Sequence, residues 1–184
     1  MGNVMKLIWG IRALVYKIIL KKILFPSYIG KPIFLLNTKN ISIERRVRIF
    51  PGVRMECHLN GKIFIEENVS IGQNLHIISG GNLRIGKNTT ISGNVLITNI
   101  DHEYKNIGIH ILKQELIIKD TEIGENSFIG YGATIQAGTI LGKQCIVGSN
   151  SFVKGNFPDF CVIAGNPAKV IKKYNEITKK WEKV

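Results

Sequence analysis

The stretch IGENSFIGYGATIQAGTILGKQCIVGSNSFV, residues 123–153, carries a large aliphatic side chain at every sixth position. With one member upstream, the series consists of Ile117, Ile123, Ile129, Ile135, Leu141, Val147 and Val153. A helix repeats about every 3.6 residues and would spread these side chains around its surface. Short extended segments joined by turns direct all of them inward, so the period predicts a solenoid of β-strands.

A second series, of small residues, follows the large ones at a distance of four positions: Thr121, Ser127, Ala133, Thr139, Cys145 and Ser151. Glycine stands directly after four of the large residues, at Gly124, Gly130, Gly142 and Gly148. We expect these glycines to permit the turn backbone at the corners. Three such six-residue segments, each with its turn, make one coil with three faces.

The same unit precedes this stretch in three triplets: Ile43, Ile49 and Met55; Ile65, Ile71 and Ile77; and Ile85, Ile91 and Ile97. Together the triplets predict five coils within residues 41–165. The register is lost after Ile97, because counting Ile111 as an inward residue would bury Glu115. The next position in frame is Ile117, so residues 98–116 are predicted to leave the coil as a loop.

The charge of the chain is concentrated at its two ends. The formal net charge is +12, but residues 1–31 contain six basic and no acidic residues, and residues 169–184 contain six lysines and two glutamates. The remainder has thirteen basic and eleven acidic residues. A nucleic-acid groove along the body is therefore not expected.

Both ends are predicted to be helical. Residues 1–30 form a basic amphipathic segment in which lysines recur too often for a membrane span. Its wide apolar face predicts that residues 1–25 lie on an anionic membrane surface, and a helix that packs on the core or on a neighbouring subunit is the alternative. In residues 166–184, the spacing of Val170, Tyr174, Ile177 and Trp181 predicts a C-terminal helix.

The three cysteines, Cys57, Cys145 and Cys161, are odd in number and lack the C-x-x-C spacing. They predict neither a disulfide framework nor a cysteine metal site, and they fit a reducing cytoplasm.

Residues 123–174, which end in the motif AGNPAKVI followed by KKY, resemble the hexapeptide-repeat acyltransferases. The similarity is to sugar O-acetyltransferases of the galactoside, maltose and polysaccharide-modifying type. It implies a mainly β fold, a left-handed parallel β-helix, with acetyl-CoA as co-substrate and no metal. It also implies a homotrimer with active sites between subunits and a saccharide acceptor.

The interrupted stretch ITNIDHEYKNIGIHI, residues 97–111, contains the candidate catalytic residue. In similar acyltransferases a histidine follows this strand and acts as general base, and the resemblance assigns that role to His102. Imidazole suits the task because it can take the proton of a sugar hydroxyl near neutral pH as the oxygen attacks a thioester. Asp101 or Glu103 is expected to orient the ring, unless a backbone carbonyl does so.

The resemblance also assigns the coenzyme site. In the corner FIGYG the Tyr131 amide is the expected oxyanion donor, and Phe128 stands where the family often has tryptophan. Small residues are expected along the pantetheine arm and lysines at the phosphates: Gly132, Ala133, Gly148, Ser149 and Asn150, with Lys154, Lys169 and Lys172. Asn82, Asn99 and residues 103–114 are expected to meet the acceptor.

The sequence thus favours an acetyl-CoA-dependent O-acetyltransferase that modifies a sugar hydroxyl of a surface polysaccharide or its precursor. Two alternatives stay open. One is a zinc enzyme like the β-helical carbonic anhydrases, which needs three histidines around one metal, with His76, His102 and His110 as candidates. The other is a non-catalytic trimeric scaffold at a membrane surface.

Overall fold

The computed structural model describes residues 3–184. One helix, α1 (Asn3–Tyr16), precedes a three-sided β-helix, and two short 3₁₀ segments lie at Thr38–Asn40 and Ile111–Lys113. The strands of successive coils pair in parallel along each face. The predicted β-solenoid is confirmed.

The strands of each face follow one another along the stack. The first face contains Lys22–Ile23, Ile41–Ile43, Lys62–Ile65, Asn82–Ile85, Thr121–Ile123, Ile140–Leu141 and Asn156–Phe157. The second contains Tyr28–Ile29, Arg48–Ile49, Ser70–Ile71, Thr90–Ile91, Phe128–Ile129, Ile146–Val147 and Cys161–Gly165. The third contains Phe34–Leu36, Arg54–Cys57, His76–Ser79, Leu96–Thr98, Thr134–Ile135 and Phe152–Val153.

The large residues of the period form one continuous core. Ile49, Ile71, Ile91, Ile129 and Val147 are all buried on the second face, and their neighbours on the other faces meet them at the axis. Parallel pairs such as Ile91 with Ile129 keep equivalent residues in register from coil to coil. The six-residue period is therefore the repeat of one face.

The β-helix begins earlier than predicted. Residues 22–36 already form a complete coil, so six full coils precede a partial seventh, where the period indicated five beginning near residue 41. The N-terminal helix is correspondingly shorter than residues 1–30. Ile23, Ile29 and Leu35 do keep the six-residue spacing. The first coil was missed because most of it lies within residues 1–30, whose apolar pattern predicts the N-terminal helical segment.

Glycine serves the corners in a different way from the one expected. The four glycines that follow large residues do not have positive φ. A Cβ on Gly124 would instead lie 2.3 Å from the Gly142 oxygen of the next coil, and one on Gly130 would lie 2.6 Å from the Ser149 nitrogen. Close approach of stacked backbones thus excludes a side chain there.

Asparagine supplies much of the left-handed corner backbone. Asn68, Asn88 and Asn126 have φ near 60° in three successive coils. The Asn68 amide donates to Asn88 (2.9 Å), and the Asn88 amide donates to Asn126 (3.1 Å). Asparagine tolerates this conformation better than other residues with a Cβ, and the ladder also satisfies its side chain.

The predicted C-terminal helix is wrong. Ala168–Asn175 pairs antiparallel with Cys161–Gly165, and Lys180–Lys183 pairs with Ala168–Asn175. Without this pairing, the outer edge of Cys161–Gly165 would expose unpaired backbone groups, which a strand can satisfy and a helix cannot. The seven-residue spacing of Tyr174 and Trp181 fits a helix, but it also fits this hairpin, in which the two residues stand opposite each other. Their rings meet edge to face, with centroids 5.6 Å apart.

Candidate active site

The register break in the sequence is an antiparallel arm. Ile100–His102 pairs with Leu116–Ile118, and the chain leaves the β-helix after Thr98 and re-enters it at Thr121. Ile117 therefore pairs with Asp101 in the arm and is not the inward core residue that the period predicted. The arm projects from the β-helix, so its apolar residues, such as Ile107 (99% exposed), do not reach the core.

His102 ends the first strand of the arm and is exposed. Its backbone N–H donates to Asp101 Oδ1 at 2.9 Å. No side chain within residues 3–184 is hydrogen-bonded to its ring. Both ring nitrogens are thus open to a substrate.

The two acids expected to orient this ring are directed elsewhere. Asp101 Oδ2 accepts a hydrogen bond from Lys154 Nζ at 3.2 Å. The Glu103 carboxylate accepts from the backbone N–H groups of Tyr104 (2.9 Å) and Lys105 (3.2 Å). Neither carboxylate is hydrogen-bonded to the His102 ring, because each one accepts from these other donors.

Both carboxyl groups stay ionised over a wide pH range. Partial burial raises the pKa of Asp101, but hydrogen bonds from the His102 amide and from Lys154 together outweigh it and lower the pKa. The hydrogen bond from Tyr104 and the neighbouring Lys105 lower the pKa of Glu103. Each carboxylate is paired with a lysine, Asp101 with Lys154 and Glu103 with Lys105, so the ion pairs leave little net charge beside His102.

Asn82 and Asn99 anchor the arm. Asn99 is fully buried, its Oδ1 accepts from the Gly80 N–H (2.7 Å), and its Nδ2 donates to Ser79. The predicted contact of Asn99 with the acceptor is therefore wrong. The Asn82 N–H and Nδ2 both donate to Asp120, at 2.7 and 3.0 Å, where the chain returns from the arm.

The candidate coenzyme residues lie on a different edge of the β-helix. We call the corner of residues 130–133 and 148–151, between the second and third faces, the Gly132 edge. Ser149 and Asn150 are exposed there, and Phe128 lies beside it on the second face. Ala133 is fully buried and its carbonyl accepts from the Leu96 N–H, so its predicted contact with the coenzyme is wrong.

The Tyr131 amide is placed to act as a donor at the Gly132 edge. The Tyr131 carbonyl accepts from the Asn150 N–H at 2.8 Å, which fixes the peptide, whereas the Tyr131 N–H has no acceptor among the described residues. A Cβ on Gly132, whose φ is +69°, would lie 2.2 Å from Asn150 Oδ1. The tight corner therefore preorganises a free N–H, as an oxyanion donor requires.

Lys169 and Lys172 face the same side of the terminal hairpin. They stand opposite Ala164 and Val162, and a bulge lies between these pairs. The side chains of residues three apart in a regular strand point to opposite faces. The extra residue of the bulge brings Lys169 and Lys172 onto the same face. Lys154 does not join them, since it lies beside Asp101 at the base of the arm.

His102 and the Gly132 edge lie at opposite borders of the third face. The Gly132 edge precedes the strand Thr134–Ile135, whereas the arm that carries His102 follows the strand Leu96–Thr98. Six residues of extended chain span on the order of 15–20 Å, too far for one acyl group to touch both. A single chain thus separates its candidate base from its candidate coenzyme groove.

The remaining histidines do not gather around a metal site. His76 Nε2 lies 2.8 Å from Glu56 Oε1, and His110 Nδ1 accepts from the Leu112 N–H at 3.2 Å. Within residues 3–184, no three His, Cys, Asp or Glu side chains are arranged to hold a metal ion. The histidine triad considered for a zinc enzyme is therefore not assembled in one chain.

The sequence did not reveal a buried acid on the third face. Glu56 is 6% exposed, and hydrogen bonds link it to Arg54, His58 (3.1 Å) and His76. Burial raises its pKa, but the donors of Arg54, His76 and His58 outweigh burial and lower the pKa to about 2. The only sequence signal for this cluster was the position of Glu56, a charged residue within the strand Arg54–Cys57 and two positions before His58.

Three-sided coils of this period define a protein of the hexapeptide-repeat class. Residues 120–155 match the family described as bacterial transferase hexapeptide (six repeats). The putative lipopolysaccharide biosynthesis O-acetyl transferase WbbJ of Escherichia coli (strain K12) is 32% identical over 95% of this chain and 93% of its own length. The chain belongs to the hexapeptide-repeat acyltransferase family and groups with its O-acetyltransferases.

Two further similarities bear on the fold and on the alternatives. The structure of AntD, an N-acyltransferase from Bacillus cereus in complex with dTDP and 3-hydroxybutyryl-CoA, aligns with a TM-score of 0.76. It is 19% identical and covers 91% of this chain and 90% of its own, which confirms the left-handed β-helix. The mitochondrial gamma carbonic anhydrase 2 of Arabidopsis thaliana is 27% identical over 80% of this chain and 50% of its own length.

Proposed function

We propose that this protein transfers an acetyl group from acetyl-CoA to a hydroxyl of a sugar in a surface polysaccharide or its precursor. The observation that carries the proposal is the position of His102, which is exposed, has no ring partner within residues 3–184 and lies on the arm that leaves the β-helix between Thr98 and Thr121. The similarity of the chain to WbbJ and the acyl-CoA bound to AntD support the choice of substrates.

The proposed chemistry is a direct transfer. His102 removes the proton of the acceptor hydroxyl as its oxygen attacks the thioester carbonyl, and the Tyr131 N–H stabilises the oxyanion. Collapse of the tetrahedral intermediate releases the coenzyme thiol, which takes the proton from His102. A cysteine intermediate is disfavoured because burial raises the pKa of Cys57 to about 11 and that of Cys145 to about 12.

The proposed enzyme works as a homotrimer. His102 of one subunit and the Gly132 edge of the next subunit together form each site, because the two borders are a full face apart within one chain. Lys169 and Lys172, on the outer side of the terminal hairpin, meet the phosphates of the coenzyme. The exposed apolar residues of the arm, including Ile107 and Leu112, would then cover the neighbouring subunit.

The proposed location is the cytoplasm, where acetyl-CoA is available and the three free cysteines stay reduced. In the part of the chain that the structure describes, no helix is both long and apolar enough to cross a membrane.

The test is an acceptor screen with acetyl-CoA, in which a thiol reagent measures release of coenzyme A and mass spectrometry detects the acetylated sugar. Free oligosaccharides, nucleotide sugars and lipid-linked sugars form the three arms. We expect release that depends on one class of acceptor. Metal analysis and a carbon dioxide hydration assay test the zinc alternative, and complete absence of acetyl-CoA binding would support the scaffold.

A further inference from the structure

Helix α1 is apolar on two opposite sides. Its inner side packs on the β-helix through Trp9 and Ala13, each 5% exposed. The Trp9 ring lies 5.8 Å from that of Tyr28 and 5.6 Å from that of Phe50, centroid to centroid. Arg12 Nη1 also donates to the Ile29 carbonyl at 3.0 Å. These contacts fix which side of the helix faces the protein.

The opposite side is a stripe of exposed aliphatic residues. At about 100° per residue, the stripe is centred across the helix from Trp9. We call it the outer stripe, and its members are Val4 (69% exposed), Leu7 (65%), Ile11 (54%), Leu14 (51%) and Val15 (56%). Packing on the β-helix therefore explains only half of the apolar character of α1, and the outer stripe calls for a partner.

A groove runs along one flank of the outer stripe. Its volume is about 590 Å³, and its walls include Leu7, Ile11 and Leu14 from α1 and Phe25 from the first coil. Lys6 and the half-buried Arg48 also line it, with Arg46, whose guanidinium lies 3.8 Å from a Glu67 carboxylate oxygen. An apolar interior with cations at its margin suits a methylene chain that carries a phosphate.

The charge around the outer stripe favours a membrane over a second copy of the chain. Residues 1–43 contain seven basic residues and no acidic one. Two copies that met through their outer stripes would bring equal positive charges together, whereas an anionic lipid surface would complement them.

We propose that the outer stripe and its groove bind an anionic phospholipid membrane, with the aliphatic side chains in the interface and Lys6 and Arg46 against lipid phosphate. The helix is held on the β-helix by its inner side while its outer side enters the membrane. This membrane site is separate from the proposed acetyl transfer, and vesicle binding can be tested without measuring enzyme activity.

The experiment is vesicle flotation of the full chain. One set of vesicles mixes phosphatidylglycerol with phosphatidylcholine, and the other contains phosphatidylcholine alone. We expect the protein to float with the anionic vesicles and to be released only partly by salt, because the apolar contact persists when charge is screened. Leu7→Gln with Ile11→Gln and Leu14→Gln should abolish flotation.

Matched variants separate the site from general surface effects. Ile33→Gln with Ile177→Gln alters residues that are 72% and 93% exposed elsewhere and should leave flotation unchanged. Lys6→Gln with Arg46→Gln should weaken vesicle binding about fivefold per cation, equivalent to about 1 kcal/mol each, and Lys180→Gln with Lys183→Gln should not. Circular dichroism and thermal melting establish that each variant is folded.

Three results would overturn the proposal. The first is equal flotation of the wild-type protein and the stripe variant, and the second is no flotation of the wild type with anionic vesicles. The third is sedimentation of the wild type, without lipid, as a larger assembly that the stripe variant loses while neither floats. That result would assign the outer stripe to a second copy of the chain.

Discussion

Lys154 Nζ lies 3.2 Å from the Asp101 carboxylate, although 53 residues separate them in sequence. The contact ties the base of the arm to the sixth coil. Because the other oxygen of the same carboxylate accepts the His102 N–H, the contact also fixes the backbone that carries the candidate base. Asp101 thus positions His102 through its peptide and not through its ring.

We expect His102→Ala to lower kcat about 10²–10⁴-fold with little change in the KM for acetyl-CoA, because only proton transfer is lost. Initial rates of acceptor-dependent thiol release measure this. His110→Ala, on the same arm, is the matched control and should retain activity. Turnover of His102→Ala near that of the wild type would rule out the general base.

Sharing of the site between subunits predicts complementation. Ser149→Trp, which fills the exposed Gly132 edge, and His102→Ala should each be inactive alone. In mixed trimers with sites between subunits, about a quarter of the sites combine an intact histidine with an intact groove, so activity should return toward that fraction. Coexpression and purification of the mixed trimer tests this, and no recovery would place the whole site in one chain.

The pair of Asp101 and Lys154 predicts a positioning effect. Lys154→Met and Asp101→Asn should each lower kcat about tenfold without raising the KM for acetyl-CoA, and the double variant should be no worse than either single variant. Lys143→Met, which removes an exposed lysine paired with Glu125, is the control. Independent, multiplicative losses would show that the two residues act separately.

The outer side of the terminal hairpin predicts selectivity for the coenzyme phosphate. Lys169→Glu with Lys172→Glu should weaken binding of coenzyme A far more than binding of dephospho-coenzyme A, because repulsion acts on the additional phosphate. Calorimetric titration of both ligands provides the comparison. Lys31→Glu with Lys62→Glu, at exposed positions far from the terminal hairpin, controls for net charge, and equal weakening of the two ligands would move the phosphate elsewhere.

Glu56 predicts loss of stability in acid. Its pKa is lowered from 4.5 to about 2, so its contribution is complete above about pH 4.5 and is lost as the pH falls toward 2. The contribution is on the order of 3 kcal/mol. The melting temperature of the wild type should fall across this window, and that of Glu56→Gln should be lower at pH 7 and change less. Glu66→Gln is the control, and parallel curves for the wild type and Glu56→Gln would contradict the assignment.

The sequence alone predicted the β-helix because burial acts on every sixth residue in the same way in each coil. Ile129 and Val147, for example, meet the same inward environment one coil apart. It also located the arm, since a run that would bury Glu115 cannot continue the core. The resemblance then indicated His102 and the corner at Tyr131, and both are exposed where they were expected.

Tertiary structure alone decided which of these residues meet. The C-terminal segment became a hairpin because the last strand offered unpaired backbone groups, and Tyr174 and Trp181 satisfy the spacing of either structure. Asn99 and Ala133 are buried, and Lys154 of the sixth coil pairs with Asp101 of the arm and does not join the hairpin lysines. A six-residue period specifies inside and outside at each position, but the distance across a face and the neighbours in the next coil arise only when the coils stack.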